Sequence, residues 1–81
     1  MKITIRLFAI LRERAGISSM ALDLPADATV AAAKAALLRQ YPQLGDLMSR
    51  TAFAVNQAYA PADAELNDGD EVAFLPPVSG G

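Results

Sequence analysis

One stretch, VAAAKAALLRQY at residues 30–41, has the length and composition of a main helix in this 81-residue chain, and strand-like segments lie on both sides of it. Val30, Ala33, Leu37 and Tyr41 fall on one face of that helix, Thr29 stands at the N-cap position, and Pro42 ends it. Lys34 falls at the rim of the apolar face, where its stem can lie on apolar surface with the amine in water. Ala33 stands where a bulkier apolar residue is expected to fill a core. Before the helix, Ile3, Ile5 and Leu7 alternate with Lys2, Thr4 and Arg6, as in a half-buried strand. Phe8, Leu11 and Ala15 then have helical spacing, with Gly16 as the left-handed C-cap of a short helix. Met20, Leu22 and Leu24 mark a second strand stopped by Pro25. After the main helix, QLGDLMSR reads as a turn with one short helical piece. Phe53 and Val55 mark a third strand, a short extended piece follows near Tyr59, and Asn67-Asp68-Gly69-Asp70 is a turn. The last strand spans residues 71–75, with Val72 and Phe74 facing inward. This order predicts an α+β fold: a sheet with one main helix on one face.

Two chemically versatile residue types are among those missing. The chain has no cysteine and no histidine, which removes disulfides, thiolate nucleophiles and imidazole acid–base or metal chemistry. The net charge of −2 argues against nucleic acid as a partner. No apolar run approaches the ~20 residues that span a bilayer. The N-terminal MKITIRLF, with Arg6 inside its apolar run, does not read as a secretory signal; a cytoplasmic location away from membranes is expected. DAELNDGDE at 63–71 resembles a calcium loop, but Asp68 stands where that motif needs glycine and Gly69 comes one place late. It is expected to be a solvated turn, and no metal site is expected. Arg12, Glu13 and Arg14 read as a solvated helix face. The basic start and acidic 63–71 segment fit weak surface pairing between neighbouring strands, or a charged partner. No glycine-rich phosphate loop and no nucleophile–base arrangement is present.

The end of the chain, FLPPVSGG at 74–81, carries the one distinctive chemistry. Residues 1–75 are expected to form the domain and residues 76–81 a flexible tail. Leu75 alternates to the outer face of the last strand, which puts apolar surface where a solvated strand prefers charge. Pro76-Pro77 holds its surroundings extended and projects an arm on the order of 15 Å at about 3.1 Å per residue. Ser79-Gly80-Gly81 is slim enough for a narrow channel. The α-carboxyl there is a carboxylate at neutral pH and a poor electrophile. Activation by another protein as a mixed anhydride, with ATP as the usual source, would open it to sulfur, giving a thiocarboxylate, or to an amine, giving an isopeptide.

LFAILRERAG, TVAAAKAAL, VNQ at 55–57 and DGDEVAFLPPVSGG together resemble the small subunit of molybdopterin synthase, a sulfur-carrier, ubiquitin-like family, over almost the whole chain. The resemblance implies a β-grasp fold with first and last strands as parallel neighbours, bringing Lys2 and Arg6 near the acidic end. It implies that an adenylating enzyme similar to the ubiquitin-activating enzymes uses ATP on Gly81, and that a sulfur donor protein then makes the thiocarboxylate. The large synthase subunit receives the tail and passes sulfur to a cyclic pyranopterin precursor in molybdenum cofactor biosynthesis, in a heterotetramer. Gly81 is then the reactive residue and Gly80 its slim neighbour. Phe74, Leu75, Pro76, Pro77, Val78 and Ser79 form the tail and its contact surface, with Tyr59 as an added aromatic anchor. No permanently bound cofactor is implied; the chain is the sulfur-carrying subunit of an enzyme, without catalytic side chains of its own. Three alternatives stay open: a sulfur carrier for thiamine thiazole synthesis, a ubiquitin-like modifier that joins lysines through Gly81, and an inert binding module.

Overall fold

The computed structural model describes residues 1–77; the tail residues Val78, Ser79, Gly80 and Gly81 lie outside them. Five strands form one mixed sheet in the order β2-β1-β5-β3-β4: β1 (Lys2–Leu7), β2 (Ser19–Asp23), β3 (Ala52–Val55), β4 (Ala58–Tyr59) and β5 (Glu71–Leu75). The helices are α1 (Ala9–Ala15), α2 (Val30–Gln40) and α3 (Gly45–Met48), with a 3-10 turn over Pro42–Leu44 before α3. β1 and β5 run parallel at the centre of the sheet, and the other pairings are antiparallel. This is the β-grasp arrangement expected from the sequence.

Strand parity sorts the side chains. Ile3, Ile5, Leu7, Leu22, Val72 and Phe74 face the helix side and are buried with Val30, Ala33, Ala36 and Leu37 of α2. Ala33 is fully buried, and Leu44 and Met48 contribute bulk to the same core, so the alanine-rich face of α2 is packed despite its small side chains. Lys34 is half-buried at the rim, as its position predicts.

Three local expectations change. Thr29 occupies the N-cap of α2, but its side chain makes no capping hydrogen bond. Instead, Val30 N–H donates to the Ala64 carbonyl at 3.0 Å and Ala31 N–H to that of Ala62 at 2.8 Å. A distant loop thus satisfies helix-terminal donors that a cap side chain usually takes. Second, Phe8 does not share the buried face of α1: Leu11 is buried, whereas Phe8 is 37% exposed. Third, Arg14 is no free solvated cation. It binds Asp46 at 2.7 Å, and Gln43 Nε2 donates back to its carbonyl at 3.5 Å, tying α1 to the Pro42–Met48 segment.

The C-cap of α1 holds as expected: Gly16 has φ 81°, and its N–H donates to the Arg12 carbonyl at 2.9 Å. The acidic 67–70 turn closes through Asp70 N–H to the Asn67 carbonyl at 3.0 Å. Among the described residues, no group of three or more acidic side chains is placed to hold a metal ion. No helix there is long and apolar enough to cross a membrane.

Candidate functional site

Among the described residues, no helix covers the sheet face opposite α2, and the residues of that face follow from strand register. Arg6 lies beside Ala73, Ala73 beside Ala54, and Ala54 beside Tyr59, one row across four strands. Leu75 follows on the same face, opposite Ala52. Two alanines in the middle of the row leave a depression between larger neighbours. Ala54 is only 6% exposed although it faces away from the core. The result is a pocket of about 380 Å³ lined by Arg6, Phe8, Ala54, Tyr59, Ala73 and Leu75, among others.

Two devices shape its walls. On one side, Arg6 places its guanidinium carbon 5.6 Å from the centre of the Phe8 ring and its Nη1 3.4 Å from Glu71 Oε2. Arg6 is therefore held between an aromatic face and a carboxylate. This is the pairing between the first strand and the acidic segment that the sequence suggests. The Lys2 ammonium instead pairs with Asp23 at 3.5 Å, while its backbone N–H donates to Asp68 at 2.7 Å.

On the other side, Asn56 and Gln57 have φ of 50° and 73° and reverse the chain in two residues between β3 and β4, the left-handed geometry that suits a tight hairpin. Asn56 Nδ2 donates to Asp70 Oδ1 at 2.9 Å, and Asn56 Oδ1 accepts the Glu71 N–H at 3.0 Å. Asp70 Oδ2 in turn accepts the Asn67 N–H at 2.8 Å. This latch fastens the hairpin to the start of β5. Tyr59 stands at its end, 81% exposed, a level at which an aromatic side chain gains little from its own domain.

The tail-proximal residues divide. Leu75 and Pro76 are half-buried and Pro77 is exposed, at the end of β5 beside the pocket. Phe74 is completely buried and packs edge to face on Phe53. Its expected place in a contact surface is corrected to a place in the core, because strand alternation points it inward. Val78, Ser79, Gly80 and Gly81 fall outside the described residues. Sequence reasoning missed Phe8 and Arg6 as parts of this surface. The signal was available: Leu7 faces inward, so strand parity turns the next residue out.

Among the described residues, no nucleophile with a base and no metal-ligand set lines the pocket. Aromatic, aliphatic and paired charged groups around a small-residue floor are equipped for recognition rather than bond chemistry.

Comparison with known proteins places this geometry among relatives. The chain is 41% identical over 83 residues to the molybdopterin synthase sulfur carrier subunit of Chlamydomonas reinhardtii, covering 100% of both chains. It superimposes on the crystal structure of the modifier SAMP1 from Haloferax volcanii with a TM-score of 0.92 and 32% identity, covering 100% of each chain. A complex of subunits 1 and 2 of molybdopterin-converting factor from Helicobacter pylori 26695 matches with a TM-score of 0.70 and 24% identity over 100% of both chains, a likeness of fold. The family model that matches, over residues 5–81, is that of the ThiS family, and to this family the chain belongs.

Proposed function

We propose that this chain is the sulfur carrier subunit of a molybdopterin synthase, acting in a cytoplasmic sulfur-transfer system. The observation that carries the proposal is the full-length similarity to a protein of that name. The geometry supports it: a recognition pocket lies beside the residues from which the tail departs.

In this reading the outer sheet face docks on the large synthase subunit and, at another stage, on an adenylating enzyme. The adenylating enzyme transfers AMP from ATP to the Gly81 carboxylate, with loss of pyrophosphate. Hydrosulfide released by a donor protein attacks the acyl carbon, the new C–S bond replaces the C–O bond to AMP, and AMP leaves behind a thiocarboxylate. The tail then delivers that sulfur to a cyclic pyranopterin precursor in the large subunit. The chain is a group carrier: it brings a tethered reactive end, and its partners bring the catalytic side chains. A chain without cysteine or histidine suits this division of labour. Phe8, Tyr59 and Leu75 supply the apolar contacts, and Pro76-Pro77 restricts the backbone at the end of β5, which lowers the entropic cost of docking there. No permanently bound cofactor is required.

The likeness to SAMP1 favours a second reading, a protein modifier joined to lysines through the same terminal glycine. One experiment separates them. The protein is incubated with its cognate activating enzyme, ATP and a sulfur donor, and intact masses are taken of it and of the proteins around it. Replacement of one terminal oxygen by sulfur is expected for the carrier. Isopeptide adducts on other proteins' lysines, without that exchange, would replace the carrier reading by the modifier reading.

A further inference from the structure

Ala9 has a backbone φ of 50°, in the left-handed region that residues with a Cβ rarely enter. Asn56 and Gln57, the two other non-glycine residues with positive φ among those described, form a hairpin reversal. Ala9 instead opens helix α1, separated from strand β1 by Phe8 alone. Strain at such a position points towards function when the surroundings explain what it maintains.

The surroundings here contain a conflict between two periodicities. Strand parity, with Leu7 fully buried, sends Phe8 outward. Helical spacing would put Phe8 on the same face as Leu11, which is also fully buried. An ordinary right-handed entry into α1 follows the helical spacing. A left-handed residue between the two elements lets Leu11 turn into the core while Phe8 stays out. The two side chains flanking Ala9 bear this out: Phe8 is 37% exposed and Ile10 39%, although both are large and apolar. Phe8 lies against the Arg6 guanidinium and walls the pocket.

The geometry points to Ala9 as a positioning residue for docking: its constrained left-handed backbone fixes the Phe8 ring on the outer face of the sheet for the large subunit. The surrounding packing bears the cost of this conformation, and the Cβ confines the residue to a small part of the left-handed region, whereas glycine ranges over a wider one. The inference rests on the outer face being the docking surface, and its test is arranged so that the two can fail separately.

Four proteins are compared in calorimetric titrations with the cognate large subunit and in thermal melts: wild type, Phe8→Ala, Ala9→Gly and the double variant. Phe8→Ala is expected to weaken binding about tenfold or more, as for an aromatic anchor. Ala9→Gly is expected to weaken it roughly threefold or more with a melting temperature no lower than that of the wild type, since the strain is relieved while the ring loses its fixed direction. In the double variant the Ala9→Gly loss should vanish, because the ring it positions is gone. Ala9→Asn, which tolerates the left-handed region, should bind like wild type. If Phe8→Ala binds as wild type does, the docking reading of this face fails. If Phe8→Ala weakens binding but Ala9→Gly does not, or weakens it equally with and without the Phe8 ring, the docking reading stands and the role of Ala9 is overturned. A fall in the melting temperature of Ala9→Gly by more than about 4 °C also overturns it, as it would show a purely structural residue.

Discussion

Phe53 and Phe74 meet edge to face across the β3–β5 ladder, with ring centroids 5.2 Å apart and planes at 85°. Phe74 is the last inward-facing residue of the chain's final strand, so this pair anchors the end of β5 to the core just before Leu75 and Pro76. Replacing Phe74 with alanine is expected to cost about 3–5 kcal/mol, enough to unfold much of a domain this small. Phe53→Leu removes mainly the edge-to-face term and should cost about 0.5–1.5 kcal/mol. Urea denaturation of the two variants checks both values and their order.

Asn56 is expected to matter for stability beyond its position on the surface. Asn56→Ala removes the donor to Asp70 and the acceptor for the Glu71 N–H, and it puts a less tolerant residue at φ 50°. A loss of about 1–3 kcal/mol is expected. Amide exchange should show opening concentrated at the β3–β4 hairpin and the start of β5.

Tyr59 should behave in the opposite way. Its ring contributes little to its own domain at 81% exposure, so Tyr59→Ala is expected to leave folding stability within about 0.5 kcal/mol. Affinity for the large subunit should nevertheless fall about tenfold, or ~1.4 kcal/mol. Equal stability with undiminished affinity would remove Tyr59 from the interface.

Deletion of Gly81 should abolish sulfur loading, read as intact mass after incubation with activating enzyme, ATP and sulfur donor. The melting transition should be nearly unchanged. Loading that persists on the shortened chain would refute the assignment of the carboxyl group of Gly81.

Much of the fold was legible because two periodicities are written plainly. The alternation of Ile3, Ile5 and Leu7 and the Val30–Ala33–Leu37 face each name one structure and one buried side. The outward place of Leu75 followed from the same alternation. The parts that were not legible are those where local patterns compete or distant segments intervene. Phe8 belongs to a strand pattern and a helix pattern at once, and a single backbone angle at Ala9 decides between them. The cap of α2 comes from carbonyls more than thirty residues further along, which local sequence at Thr29 does not reveal. The pocket depends on Ala54 and Ala73 lying side by side on strands that meet only through the sheet order, so neither alanine announces it alone.

The parallel pairing of β1 with β5 has a consequence for biosynthesis. The keystone of the sheet is the last of its five described strands to be translated: β1 and β3 both wait for Glu71–Leu75 to slot between them. A nascent polypeptide that stops short of this strand lacks the middle of its sheet, and with it the Glu71, Ala73 and Leu75 lining of the pocket. In the proposed function, a truncated copy would therefore lack both the completed pocket and the strand that leads into the tail, so the surface that docks and the end that reacts are made together.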